Sequence, residues 1–279
     1  MISETLANNR SENTMVNSTV NIYTLPCLSD NYAYVIHNSA TGTAAIVDIP
    51  DSGPIISKIA ELGATVTEVF LTHHHWDHID GLNDLQTTLS TQLGQARCRV
   101  IGAKADAHRL PPLDEALSPG QSVQLCGVKG KIFDVSGHTL GHLALHMPDI
   151  NALFTADSLM AMGCGRLFEG TAAQMWQSLS QLRALPSNTL VYSGHEYTAN
   201  NMAFALSLGE ENSAIAIRAE EIATYRAAGR FTVPSLLSLE LKTNPFLRAD
   251  DPALQASIGM SGRKPAEIFA TIRELKDNF

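Results

Sequence analysis

Between residues 20 and 195 the chain alternates short apolar runs with turns. Runs at 20–25, 32–37, 44–48, 66–72, 99–103, 123–126, 131–135, 143–147, 153–156 and 190–193 have the length and apolar content of β-strands, and helical spacing appears between them at 54–62, 78–89 and 172–185. That pattern predicts two β-rich halves with helices outside. After residue 196 the period changes. Ala-, Leu-, Glu- and Arg-rich stretches at 198–208, 213–228, 234–242 and 265–276 are helical in spacing and are punctuated by Gly209, Gly229 and Pro245. A mixed α/β domain over 20–195, followed by a smaller all-helical domain over 196–279, is the expected organisation. Residues 1–19 are rich in Asn, Ser, Thr and Glu and read as a disordered tail in which Met15 is an alternative start; they lack the basic start and apolar stretch of a secretory signal.

Composition narrows the function classes. The chain has 279 residues, 44% hydrophobic composition and mean hydropathy near zero, which suits an ordinary soluble protein with one large core or two modest ones. A formal charge of −9 argues against a nucleic-acid surface, so an anionic ligand would have to meet a local basic patch. The four cysteines, Cys27, Cys98, Cys126 and Cys164, lie far apart without CxxC spacing, which points away from a disulfide framework or zinc ribbon and fits a reducing cytoplasm. No apolar run approaches the roughly 20 residues that cross a bilayer, so no membrane partner is expected. A monomer is the expectation.

The chemistry concentrates in Thr72-His73-His74-His75-Trp76-Asp77-His78, directly behind the apolar run at 66–71. Residues two apart on an extended strand end project to one side. His73 and His75 can therefore share one ion while His74 points away, and Asp77 and His78, across the turn into a helix, can reach a second. Three later β-like runs also end in ligand-type residues: His138, Asp157 and His195. The assignment that follows puts His73, His75 and His138 on a first ion, Asp77, His78 and His195 on a second, and Asp157 between them. Nitrogen and oxygen donors without thiolates suit Zn, Fe or Mn. Two divalent ions about 3.5–4 Å apart lower the pKa of a shared water and polarise a carbonyl, which gives a bridging hydroxide as nucleophile. Hydrolysis of an ester, thioester, amide or phosphoester is the natural reaction class. Because the site has no obvious dedicated acid, a thiol leaving group, with a pKa near about 8.5, is favoured over an amine.

Four of these motifs, THHHWDH, SGHTLGH (136–142), FTADSL (154–159) and SGHEYT (193–198), together resemble the metallo-β-lactamase superfamily. GCGRLFEGT (163–171), GHEYTANN (194–201), NPFLR (244–248) and the terminal IRELKDNF (272–279) resemble the glyoxalase II, or hydroxyacylglutathione hydrolase, family within it. The resemblance runs from about residue 20 to the end and implies an αββα sandwich followed by a helical domain. It places the family's metal ligands on His73, His75, Asp77, His78, His138, Asp157 and His195. Asp77 and Asp157 would be the catalytic carboxylates beside the bridging hydroxide, and two divalent ions, zinc first with iron or manganese as alternatives, would be the cofactors. The implied reaction converts S-D-lactoylglutathione and water to D-lactate and glutathione. Arg166, Phe168, Tyr197, Arg273 and Lys276 would contact the tripeptide, whose two carboxylates favour Arg and Lys partners. Arg273 and Lys276 stand at i and i+3, on one helix face.

Three departures from the family pattern stand out. Phe168 replaces a Tyr, Ile79-Asp80-Gly81 replaces a small-Gly-Gly stretch, and Val47-Asp48-Ile49-Pro50 replaces a more common Asp-Pro-Gly turn. The first removes a hydroxyl contact to glutathione; the others alter loops without removing a ligand. His37, His74, His108, His142 and His146 are read as non-ligands. A persulfide dioxygenase with a single iron, a lactonase or β-lactamase of the same superfamily, and a degenerate metal-binding module are the competing readings. The GCGRLFEGT stretch and the helical C-terminal domain ending in RELKD count against the first, the glutathione-directed basic residues against the second, and the filled set of seven ligand positions against the third.

Overall fold

The computed structural model describes residues 13–17 and 19–279, with side chains from Thr19 onward. Its chain falls into two units, residues 1–134 with 143–154, and residues 135–142 with 155–279. The line between them does not follow the change of period at residue 196.

The first unit contains β1 (Asn13–Asn17), β2 (Val20–Cys27), β3 (Asn31–Asn38), β4 (Thr43–Val47), α1 (Ser52–Leu62), β5 (Thr65–Phe70), α2 (Trp76–Ile79), α3 (Leu82–Thr91), β6 (Arg99–Ala103) and β7 (Glu115–Leu117). The seven strands form one sheet in sequence order. β1 to β4 pair antiparallel, whereas β4, β5, β6 and β7 run parallel. Parallel neighbours need a crossover, and helices supply the first two: α1 between β4 and β5, α2 with α3 between β5 and β6. A second run, β8 (Ser122–Leu125), β9 (Val128–Asp134), β10 (Leu143–Met147) and β11 (Ala152–Ala156), is an antiparallel meander. The Tyr34 ring of β3 lies 5.5 Å from the Phe154 ring of β11, so the two sheets meet there. β10 and β11 are buried at every position, which explains their continuous apolar runs; β8, nearer water, alternates buried and exposed residues.

The expected tail at 1–19 is partly ordered: Asn13–Asn17 pairs with β2, while residues 1–12 and 18 lie outside the described residues. The single helix expected at 78–89 is two helices. Gly81 separates them: its amide donates to Ile49 O at 3.0 Å, and a Cβ there would lie 2.6 Å from the Ile49 side chain. Glycine is needed for this close approach.

The second unit contains β12 (Leu159–Met160), β13 (Gly163–Cys164), α4 (Ala172–Arg183), β14 (Leu190–Ser193), α5 (Thr198–Ser207), α6 (Ser213–Ala227), β15 (Ser235–Leu236), α7 (Leu237–Thr243), α8 (Pro252–Ser257) and α9 (Pro265–Asp277). The helix expected to begin at 234 begins at Leu237, because Ser235 and Leu236 pair with Val191 and Leu190 of β14 instead. α4 opens on a reciprocal cap between Thr171 and Gln174. On α6, Ile215, Arg218 and Ile222 face inward at helical spacing; on α9, Ile268, Phe269, Ile272 and Arg273 do so. Each of these stripes contains one arginine.

All four cysteines are free and buried, and burial pushes the Cys27 and Cys126 thiols up to about 12. Among the described residues no helix is long and apolar enough to cross a membrane.

Candidate metal centre

The parallel strands set the site in the first unit. Asp48 follows the carboxyl end of β4, and Thr72 to His75 follow that of β5, the edge where open parallel sheets gather ligand-binding side chains. Asp48 is the organiser. Its Oδ1 accepts from the Thr72 amide at 2.9 Å, and its Oδ2 accepts from Thr72 Oγ1 and His78 Nδ1, each at 2.8 Å. A carboxylate only accepts, so His78 carries its proton on Nδ1 and offers the Nε2 lone pair outward. Thr72 Oγ1 gives its single proton to Asp48 and lies 3.0 Å from His73 Nδ1, which therefore donates to it and leaves Nε2 as the His73 lone pair. Thus one carboxylate orients two imidazoles. The donor atoms of Asp48, His73 and His78 lie within 4.8 Å of one another.

His73 Nε2 lies 3.1 Å from His75 Nδ1, so the two rings bring different nitrogens to one place. Tetrahedral zinc with ligand distances of about 2.05 Å sets neighbouring donors about 3.3 Å apart, and this pair fits that edge. Asp77 Oδ2 lies 3.8 Å from His78 Nε2 and accepts from Asn31 Nδ2 at 3.0 Å. His74 turns away to Asp106, which Arg109 also holds. Asp48 was missed as a site residue by sequence reasoning, although a carboxylate closing an apolar run is the same signal that singled out Asp157.

In the second unit Asp157 follows β11 and His195 follows β14. One oxygen of Asp157, Oδ2, lies 3.5 Å from His138 Nε2 and 3.2 Å from His195 Nε2. These too are donor spacings of the kind a shared ion imposes. His138 Nδ1 donates to the Arg166 carbonyl at 2.9 Å, which fixes Nε2 as its ligating nitrogen. Gly165 makes this possible: a Cβ there would lie 1.9 Å from Asp157 O and 2.9 Å from His138 Nδ1. Tyr197 stacks on His195 at 4.6 Å and 7°, and Phe168, largely exposed, meets the His138 ring edge at 5.2 Å. His142 is fully buried with its ring 6.0 Å from that of His138. His37 and His146 are also buried, and desolvation holds the pKa of both down.

The basic residues split by environment. Arg166 is exposed and reaches Asp277 at 3.9 Å; Lys276 is half-buried, donates to Asn200 and lies 5.0 Å above the Phe279 ring. Desolvation, then the Arg273 and Arg166 charges, lower the Lys276 pKa to about 8. Arg273 is only 4% exposed: Nη1 donates to Cys164 O at 2.9 Å, Nη2 lies 2.9 Å from Asp277 Oδ1, and the guanidinium covers the Phe246 ring at 5.1 Å. The two members of the expected i, i+3 pair thus have different surroundings.

Known proteins share these features. The family pattern described as metallo-beta-lactamase superfamily matches residues 30–195, and that described as hydroxyacylglutathione hydrolase C-terminus matches residues 196–279. A hydroxyacylglutathione hydrolase of Ruegeria pomeroyi is 57% identical over 258 residues, covering 92% of this chain and 98% of the relative. One from a Jannaschia species is 52% identical over the same shares. Among solved structures, ETHE1 from Myxococcus xanthus aligns with a TM-score of 0.60 at 24% identity, over 91% of this chain and 89% of its own. The B3 metallo-beta-lactamase BLEG-1 aligns with a TM-score of 0.61 at 20% identity, over 81% of this chain and 99% of its own. These structures share the fold.

Proposed function

The chain belongs to the hydroxyacylglutathione hydrolase family of the metallo-beta-lactamase superfamily, and from that premise we propose that it hydrolyses S-D-lactoylglutathione and related 2-hydroxyacylglutathiones to the hydroxy acid and glutathione. Two divalent cations, zinc first, are its cofactors. His73, His75 and His138 hold one, Asp77, His78 and His195 hold the other, and Asp157 serves both. The observation that carries this reading is the Asp157 oxygen at 3.5 and 3.2 Å from two imidazole nitrogens, the arrangement of a carboxylate shared between ligand sets. Bound there, the cations would supply Lewis acidity toward the thioester carbonyl and a lowered pKa for water.

The protein's own part is orientation. Asp48 holds the protons of His78 and, through Thr72, of His73, and the Arg166 carbonyl holds that of His138, so each of the three rings keeps its Nε2 lone pair available before any ligand binds. Preset ligands lose little conformational entropy on loading. Arg166, Arg273 and Lys276 supply positive charge for the glutathione carboxylates in an otherwise acidic chain, with Phe168 and Tyr197 as aromatic walls; Phe168 brings no hydroxyl to that contact. The leaving glutathione thiol, with a pKa of about 8.5 for a free Cys, departs as thiolate without a protein acid. A monomeric protein in a reducing compartment fits the four buried thiols.

Steady-state hydrolysis of S-D-lactoylglutathione with parallel elemental analysis tests the proposal, with glutathione persulfide plus an oxygen electrode, an acyl-homoserine lactone and nitrocefin as competitors. Two metals per chain and a marked preference for the thioester are expected. Oxygen consumption with the persulfide, or equal thioester turnover by metal-free and metal-loaded protein, would overturn it. Asp157→Ala should lose metal from both positions and most turnover.

A further inference from the structure

We propose that Thr232 is a positioning residue for Tyr197: it holds the residues on either side of that tyrosine, Glu196 and Thr198, and so keeps the Tyr197 ring flat against His195 as the wall that the glutathione moiety meets. The inference rests on the readings of His195 and Tyr197 given above.

His195 follows β14 and leads into Glu196-Tyr197-Thr198, the entry to α5. Helix entries favour Ser, Thr, Asp or Asn, whose side chains accept from the first free amides of the helix. Here the capping position is Tyr197, and its side chain makes no cap bond. Its ring lies instead on the His195 imidazole, with 4.6 Å between centroids and 7° between planes. Because the tyrosine is 40% exposed, packing around its own side chain does little to place it, and a staggered side chain carries the ring where the backbone of 196–198 sends it.

Thr232 fixes that backbone from both sides. Its amide donates to Glu196 Oε2 at 2.9 Å, and its hydroxyl donates to Glu196 Oε1 at 2.6 Å. A hydroxyl has one proton and a carboxylate only accepts, so the Thr198 hydroxyl, 2.6 Å from Thr232 Oγ1, is the donor of that pair. Arg226 Nη1, 3.2 Å from Glu196 Oε2, adds a positive charge beside the same carboxylate. The Glu196 side chain and Thr198 are both buried, so these bonds are made away from water, where leaving one unmade costs most. On the other side of His195, the Gly194 amide donates to Ala156 O at 2.9 Å, beside the end of β11. The sheet thus places His195, and Thr232 places Tyr197. Both donors of Thr232 are spent on Glu196, which leaves it a role through its neighbours rather than through the substrate.

The test uses the zinc-loaded full chain with isotope-labelled histidine. Thr232→Val keeps the shape and the amide and removes the hydroxyl; Thr232→Ser keeps the hydroxyl; Tyr197→Ala removes the ring and so identifies the His195 resonances that feel it. NMR shifts of those resonances, Tm, KM and kcat on the thioester, and Kd for S-methylglutathione, which has no thiol to bind metal, are measured on each variant and on Tyr197→Ala combined with Thr232→Val. Thr232→Val should lose the ring-current shift on His195 and raise both KM and the S-methylglutathione Kd by about 2–12-fold, the value of one aromatic contact, with kcat within about threefold. Thr232→Ser should stay near wild type. Adding Thr232→Val to Tyr197→Ala should change KM no further, because the ring through which Thr232 acts is gone. Unchanged His195 shifts in Thr232→Val, whatever happens to Tm, mark a purely structural threonine and overturn the proposal. So do effects on KM that multiply in the combined variant. Should the wild-type chain turn over no thioester, the proposed function fails, and the ring-current comparison then decides the placement of Tyr197 by itself.

Discussion

Replacing Gly165 by alanine puts the close packing between ligand segments to a direct test. The added Cβ would lie 1.9 Å from the Asp157 carbonyl oxygen and 2.9 Å from His138 Nδ1, where ordinary contact begins at 3.4 Å, so backbone must move by about 1.5 Å. Both neighbours belong to proposed ligands, and metal sites tolerate departures of only about 0.2 Å in ligand distance. Either Asp157 shifts along the end of β11, or Arg166 swings off and releases the His138 proton. Overpacking of this kind costs about 1–3 kcal/mol, which in a chain of this size lowers Tm by about 2–12 °C. The effect on turnover should be larger, since a displacement of about 1 Å in a catalytic constellation can reduce rate about 100-fold. Elemental analysis, Tm and thioester hydrolysis on Gly165→Ala distinguish the two effects. Gly53→Ala is the control, because its Cβ meets only Asp51 Oδ1 at 3.4 Å. A Gly165→Ala protein with two metals per chain and turnover within twofold of wild type would refute the reasoning.

Asp48→Ala leaves His78 and Thr72 without their shared acceptor, and chelator competition should show metal affinity about 10–100-fold weaker; an unchanged affinity would remove Asp48 from the site. The Lys276 pKa, lowered from 10.5 to about 8, makes KM for the doubly charged glutathione moiety rise as pH climbs past about 8. The unfolded chain holds more protons than the folded one between those values, so this group makes the fold more stable as pH rises across that window. KM profiles should lose the inflection in Lys276→Arg, and a flat wild-type profile from pH 7 to 9 would reject the assignment. Glu240 is buried against Arg218, Ser235, Asn244 and the Met162 amide, so Glu240→Ala strands a buried guanidinium and should cost about 3–5 kcal/mol in denaturant melts; Glu240→Leu with Arg218→Met should cost less.

The sequence made most strands legible because each is a short apolar run, and β4, β5 and β10 lie within a residue or two of where those runs predict. The misses share a cause. β15 is two residues long and exists only because β14 offers it a partner, β7 has no apolar run of its own, and the break between α2 and α3 depends on how closely Gly81 approaches Ile49. None of these is a property of local sequence. Each is decided by a neighbour far along the chain, which periodicity cannot see.

The same distinction applies to the site. A metal ligand must be one of few residue types at the end of a rigid element, so the proposed ligands His73, His75, Asp77, His78, His138, Asp157 and His195 stand out from spacing. Residues that hold a ligand's proton face a weaker requirement, for any acceptor will do: Asp48 uses a carboxylate for His78, whereas Arg166 uses only its backbone carbonyl for His138. A backbone carbonyl has no letter of its own in the sequence. Helical spacing set Arg273 and Lys276 side by side, yet packing against Phe246 and Cys164 buries one and leaves the other partly in water. Two residues that look like one basic patch thus have different surroundings. The difference depends on a contact that spans 109 residues of sequence.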